Sequence, residues 1–277
     1  MIGNMSSKEY VDFADLAVRL AKDAAKSVLD RLGTRDISRK SDHSLVTDAD
    51  EAAQSLILNA VNDRFPDHAF LAEETVATSH SLPDPKTARF CWVVDPLDGT
   101  RNFVAGFPSF STSIAVLEHG RPVVGVVHEH NLGQCYSAVL GRGATRNEQP
   151  ILARAPEKGF DWLLAVPSSK DDLTVGVVRS WIATRGFVLR NMGSTVFHLG
   201  LVASGVLAGA FAKRCKIWDV AAGALLVQEA GGVITNPTGQ DLFPYSFDAE
   251  PSADVPFLAA ARAVHSQLLD TIPPEDA

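Results

Sequence analysis

The chain has 277 residues, 46% of them hydrophobic and 21% charged, with a formal net charge of −8; about one or two globular domains fit that length, and such a chain buries roughly 75% of its unfolded surface. The negative balance, with no basic stripe, argues against a nucleic-acid polymer as the main partner, and the lack of any run of about 18 apolar residues argues against a membrane span. Cys91, Cys135 and Cys215 form no Cys-x-x-Cys pair and read as reduced buried thiols of a cytoplasmic protein, not a zinc site, while Met1-Ile2-Gly3-Asn4-Met5-Ser6-Ser7-Lys8 lacks the basic-then-apolar order of a signal peptide.

Val11, Ala14, Val18, Ala21, Ala25, Val28 and Leu29 recur at helical spacing and predict a helix over residues 8–32, closed by Gly33. Residues 34–47, with Lys40-Ser41-Asp42-His43-Ser44, read as a polar loop, and a second helix runs over 48–64 and stops before Pro66. A short strand at 68–72 ends in Glu73-Glu74, and 75–89 is a Pro-containing loop. The run from Cys91 to Val94 reads as a buried strand that stops at Asp95-Pro96-Leu97-Asp98-Gly99-Thr100. Strands follow at 109–118, 122–130 and 134–139, then a turn at Gly141-Arg142-Gly143.

Beyond Pro150, strands near 161–166 and 187–190 alternate with helical segments near 173–183 and 195–204. The segment 211–215 leads to Trp218-Asp219-Val220-Ala221-Ala222-Gly223 and a small-residue helix that continues to Ala230. Gly231-Gly232 stops it; strands at 233–235 and 257–261, with a loop at 237–256 between them, precede a last helix at 263–269. Helices and strands are mixed in both halves, which implies a layered α/β or α+β fold. Residues 1–150 form an N-terminal half with most of the acidic candidates, and 151–277 a second half with Asp219, the two making one compact unit.

Asp95 and Asp98 are three residues apart at the mouth of a strand. Like charges that close persist as anions only with a cation between them. Pro96 fixes the turn and Gly99 allows close approach of a ligand. Such a site suits a hard cation, Mg²⁺ above all, which takes carboxylates, carbonyls and water. Glu73 and Asp219 sit at similar places, a strand end and a helix start. Each also has an ordinary reading: Glu73 as a solvated acid, and Asp219 as a helix N-cap.

Taken together, Val46-Thr47-Asp48-Ala49-Asp50, Ala72-Glu73-Glu74, the segment Asp95 to Thr100, Trp218 to Gly223 and Glu229-Ala230-Gly231-Gly232 resemble the inositol monophosphatase family of Mg²⁺-dependent, lithium-sensitive phosphatases. The match covers roughly residues 8–270. The resemblance implies an α-β-α-β-α sandwich, commonly a homodimer, that hydrolyses a small phosphorylated metabolite with two or three Mg²⁺. It implies Glu73, Asp95 and the Leu97 carbonyl as ligands of one metal, Asp95, Asp98 and Asp219 as ligands of a second, and Glu73 again at a weaker third. Thr100 with Asp50 would orient the attacking water, and the Gly99 and Thr100 amides would grip the phosphate beside Asp98 and Asp219. No histidine base is needed, because a metal lowers the pKa of bound water.

Several other features read as structural. His128 and His130 face one side of a strand, Ser168-Ser169-Lys170 is a polar turn, Gly231-Gly232 is a helix stop, and Trp218 packs and positions Asp219. Lys40 is a surface cation, or by the resemblance a supporting residue in a loop near the metals. One position departs from the family: Ala212 stands seven residues before Asp219, where members taking inositol phosphates carry a Glu, and Lys213 and Arg214 follow. That leaves histidinol phosphate, fructose 1,6-bisphosphate and 3′-phosphoadenosine nucleotides beside inositol phosphates as candidate substrates. The basic pair suits a second anionic group. A non-catalytic binding or regulatory relative is the reading from another class.

Overall fold

The computed structural model describes residues 5–33, 37–39, 45–74, 82–248, 250 and 253–274. Helix α1 (Met5–Leu29) turns Phe13, Ala17, Leu20, Ala24 and Val28 inward along one stripe. A hairpin of β1 (Ile37–Arg39) and β2 (Leu45–Thr47) leads directly into α2 (Asp48–Arg64), which buries Ala49, Ala53, Ile57 and Val61 at intervals of four. Thr47 and Asp50 cap α2 reciprocally, with the Thr47 N–H donating to Asp50 Oδ2 at 2.8 Å.

Seven strands form the first sheet, in chain order: β3 (Ala69–Ala72), β4 (Phe90–Asp98), β5 (Ser111–Glu118), β6 (Arg121–Glu129), β7 (Gln134–Val139), β8 (Ala144–Arg146) and β9 (Gln149–Ile151). Only β3 and β4 are parallel. A short helix, α3 (Thr100–Ala105), interrupts the chain between β4 and β5. The second sheet takes β10 (Trp162–Ala165), β11 (Phe187–Arg190), β12 (Gly209–Ala212), β13 (Val233–Thr235) and β14 (Phe257–Ala260) in the order β11-β10-β12-β14-β13. Four helices accompany it: α4 (Asp172–Ala183), α5 (Thr195–Ala203), α6 (Ile217–Glu229) and α7 (His265–Leu269).

Strand alternation sorts the core into layers. On β4, Phe90, Trp92 and Val94 pack with α1 and α2, while Cys91 and Val93 face α5 and α6. On β5, Ile114 and Val116 face α1 and α2, while Ala115 and Leu117 face the other side. Ala165, Ala210, Ala212 and Ala259 close the far side of the α5–α6 layer, and Leu164, Phe211 and Leu258 point outward onto Leu173, Trp181 and Leu268. The result is the expected α-β-α-β-α sandwich. The two central helices are apolar on nearly every face because a sheet covers each side.

The elements differ from expectation in a few places. Helix α1 starts and stops three residues early. The supposed loop of 34–47 contains the β1–β2 hairpin, although Lys40 and its neighbours up to Ser44 lie outside the described residues, as do 75–81 of the next loop. Strand β4 does not stop at Val94 but continues to Asp98. Helix α3 and the β8–β9 hairpin are too short to register as periodic patterns. Strand β12, Gly209–Ala212, had no strand expected for it; only its last two residues fall in the segment 211–215. Gly231, at φ +82°, and the Gly232 N–H bond to the Val227 carbonyl (2.8 Å) end α6 as a helix stop should. Cys91, Cys135 and Cys215 are buried free thiols, and no described helix is long and apolar enough to cross a membrane.

Candidate active site

The parallel pairing of β3 and β4 does the first part of the assembly. Ala72 lies opposite Val94, so the next residues, Glu73 and Asp95, leave the two strands side by side, and the Glu73 N–H donates to the Val94 carbonyl at 3.2 Å. The second part is a bulge. Asp95 pairs with Ser113 and Asp98 with Ser111, so Pro96 and Leu97 together oppose Thr112 alone. In a regular strand, residues three apart point to opposite faces; the extra residue turns Asp98 to the same side as Asp95. Pro96, which has no N–H to give to a ladder, fits the bulge, and its carbonyl accepts from Thr112 Oγ1 at 2.9 Å.

Asp219 comes from the other side of the molecule, in the first turn of α6. It is not the N-cap but the third helical residue: Lys216 occupies the cap, and its N–H donates to Asp219 Oδ2 at 2.6 Å. Ser113 Oγ donates to the Trp218 carbonyl at 3.1 Å and ties that turn to β5. Ligand-competent atoms of Asp95, Asp98 and Asp219 then all lie within 4.8 Å of one another. Glu73, Leu97, Gly99 and Thr100 line the same cavity of about 680 Å³.

Asp50 is fully buried beneath this cluster. Its carboxylate accepts from the Thr47 N–H and Thr47 Oγ1, and Thr100 Oγ1 lies 3.1 Å from its Oδ1 and 3.0 Å from the Leu97 carbonyl oxygen. Gly99 sits at φ +94°, and a Cβ there would come within 3.0 Å of the Ser109 carbonyl, so no other residue fits comfortably. The Gly99 N–H favours the Asp98 carboxylate. Thr100 opens α3, where the helix supplies its N–H with no partner.

The electrostatics follow from burial and crowding. Burial raises Asp95 well above the usual carboxylate range, and the nearby Glu73, Asp98 and Asp219 push it further. Asp219 is raised the same way, by burial first and then by Asp98 and Glu73. Burial lifts Asp98 to about 6, against the hydrogen bonds of Ser194 Oγ and the Val196 N–H, both 2.7 Å from Oδ2. Asp50 also rises to about 6, chiefly by burial, despite its donors from Thr47. A divalent cation among Asp95, Asp98 and Asp219 would reverse this penalty, and oxygen-only donors at that spacing fit Mg²⁺.

Of the residues set aside as structural, Trp218 lines the cavity beside Asp219, while the others stay outside the cluster. His128 and His130 are buried and neutral, pushed down to about 4 and about 3 by desolvation, and His130 Nε2 lies 2.9 Å from Thr112 Oγ1. Ser168 and Ser169 bond Asn191 and Asp171 as turn residues do. Ala212 is buried at the end of β12 and does not reach the cavity; Arg214 and Lys216 line it instead, with Lys216 Nζ 2.8 Å from Asp254. Ser194 is the residue that the sequence reading missed. It caps α5 by accepting from the Phe197 N–H at 3.2 Å while donating to Asp98, and the only sequence signal was a Ser before a predicted helix.

Comparison with known proteins agrees with this geometry. The model of the inositol monophosphatase family matches residues 9–271. The chain is 35% identical to inositol monophosphatase 3 of Solanum lycopersicum over 83% of its own length and 87% of that protein. It is 33% identical to the Nus factor SuhB of Haemophilus influenzae over 79% and 83% of the two chains. The solved structure of an IMPase from Thermotoga maritima superposes with a TM-score of 0.80 at 27% identity, covering 94% of this chain and 96% of that one. The chain therefore belongs to the inositol monophosphatase family.

Proposed function

We propose that this protein is an Mg²⁺-dependent phosphomonoesterase acting on a small alcohol or sugar phosphate. The observation that carries this reading is the convergence of Asp95, Asp98 and Asp219 within 4.8 Å beside Glu73, drawn from three separate segments of the chain. Crowded buried carboxylates destabilise a fold unless a cation uses them, so an idle binding relative would have reason to lose them.

Glu73, Asp95, the Leu97 carbonyl, Asp98 and Asp219 would hold two Mg²⁺, with a weaker third at Glu73; when bound, these ions supply positive charge to the phosphoryl oxygens and lower the pKa of water. The protein's own residues do the positioning. Thr100, by donating to Asp50, leaves its oxygen lone pairs able to accept from a water in the cleft. Asp50, supplied with hydrogen bonds by Thr47, keeps that hydroxyl oriented. The Thr100 N–H remains available to a phosphate oxygen. Ser194 and the Val196 N–H hold Oδ2 of Asp98, whose side chain lines the cavity.

The test is inorganic phosphate release from inositol 1-phosphate, histidinol phosphate, fructose 1,6-bisphosphate and 3′-phosphoadenosine 5′-phosphate. Activity should require Mg²⁺, disappear in EDTA and be lost in D95N. Release untouched by EDTA would refute the metal mechanism. Lithium inhibition and a homodimer belong to the same proposal; turnover that persists in lithium at limiting Mg²⁺, or a monomer by sedimentation equilibrium, would remove each.

A further inference from the structure

Beside the acidic cavity lies a second one of about 640 Å³, and the two share Arg101, Gly193, Thr195 and Arg214 in their walls. Their chemistry is opposite. The first is lined by Glu73, Asp95, Asp98, Asp219 and Asp254. None of the described residues lining the second is acidic, and three are cations: Arg101, Lys170 and Arg214. In a chain of net charge −8 that segregation needs a cause. Among the described residues these three cations make no ion pair or hydrogen bond, whereas Lys86, Arg89 and Lys216 each pair with a carboxylate. Neutral polar groups complete the wall, among them Ser168 and Asn191. His198 adds no charge, since burial holds it down at about 4 and its Nε2 accepts from the Met192 N–H at 3.0 Å.

We propose that the second cavity is a subsite for another anionic group of the substrate, a second phosphate first of all, held by Lys170, Arg214 and Arg101. This rests on the phosphatase reading of the first cavity. Both cavities fall within the size range of small-molecule sites. A substrate with one phosphate among the acidic residues would pass Arg101 and Arg214 and place its far end against Lys170. Exposed cations of this kind recognise a phosphate through charge-assisted hydrogen bonds. Lys213 lines neither cavity, so of the basic pair only Arg214 takes part.

The experiment compares kcat/KM at low salt for matched pairs: fructose 1,6-bisphosphate against fructose 1-phosphate, and 3′-phosphoadenosine 5′-phosphate against adenosine 3′-phosphate. A third arm, 6-phosphogluconate, separates a carboxylate from a second phosphate as the far group. The bisphosphate member of at least one pair should lead by about tenfold, through KM. That lead should shrink about threefold in K170Q and fall to near one in K170Q/R214Q, as expected for partly exposed charged hydrogen bonds. A ratio near one in both pairs, or a lead that survives K170Q/R214Q unchanged, overturns the subsite. A lead shown only by 6-phosphogluconate over the monophosphates overturns the phosphate assignment. Hydrolysis of none of the five compounds would instead strike the phosphatase reading itself.

Discussion

Thr100 lies where its hydroxyl can reach both Asp50 and the Leu97 carbonyl, one a buried acceptor and the other a metal-ligand candidate. T100A removes that link without touching a carboxylate, so kcat should fall by about 10²–10³-fold with Mg²⁺ affinity unchanged by calorimetry, and T100S should recover most of it. A T100A rate within about threefold of wild type would contradict the role. His130 carries a different prediction. Its folded form, held at about 3, stays neutral between pH 6.5 and pH 4, while the unfolded ring takes up a proton below 6.5. The unfolded state binds more protons in that window, so acidification from pH 7 to pH 5 costs about 2 kcal/mol through this ring. Asp50 and Asp98, raised to about 6, titrate the other way: the folded state binds more protons there, so they oppose the loss. The histidine share is isolated by comparing urea unfolding at the two pH values: H130Q should lose about 2 kcal/mol less than wild type, and an equal loss would contradict it. Asp95 and Asp98 could be singled out from sequence because two acids flanking a proline at a strand end repel each other unless a cation joins them. Ser194 could not, since a capping serine looks the same whether or not a distant carboxylate uses it.

The elements bring these side chains together through register more than through local propensity. The bulge on β4 and the parallel β3 set three candidates, and the close approach of α6 to β6 sets the last. A Cβ on Gly125 of β6 would meet the Ala222 carbonyl of α6 at 2.5 Å and its Cα at 3.0 Å. Backbone cannot step aside as a flexible side chain can, so G125A must push α6 away. The expected cost is about 1–3 kcal/mol of stability, together with weaker Mg²⁺ binding because Asp219 lies one turn from Ala222. Melting temperature and calorimetry check both, and an unaltered Mg²⁺ affinity would show that α6 does not set the site. Long elements with strong patterns were legible: the stripes of α1 and α2, the doubly buried strands, and the small apolar residues of α6 that follow Asp219. The bulge was not, because Pro96 reads as a strand terminator, and α3 and the β8–β9 hairpin span too few residues to show a period.

At the scale of the molecule, an acidic chain that handles phosphates faces its own field. The cavity holds five carboxylates against Arg101, Arg214 and Lys216, a negative balance that bound cations would have to reverse before a phosphate could enter. The order of layers was legible only through family resemblance, since periodicity marks which faces are buried but not what covers them. The four acidic residues lie in segments scattered from Glu73 to Asp219, and only the packing of α6 between the sheets closes the set. Anomalous scattering from crystals grown with Mn²⁺ as the Mg²⁺ substitute measures that closure most directly. The structure predicts a strong peak bounded by Asp95, Asp98 and Asp219, absent from D95N crystals under the same conditions. Well-ordered crystals in saturating Mn²⁺ with no peak among these three carboxylates would contradict it.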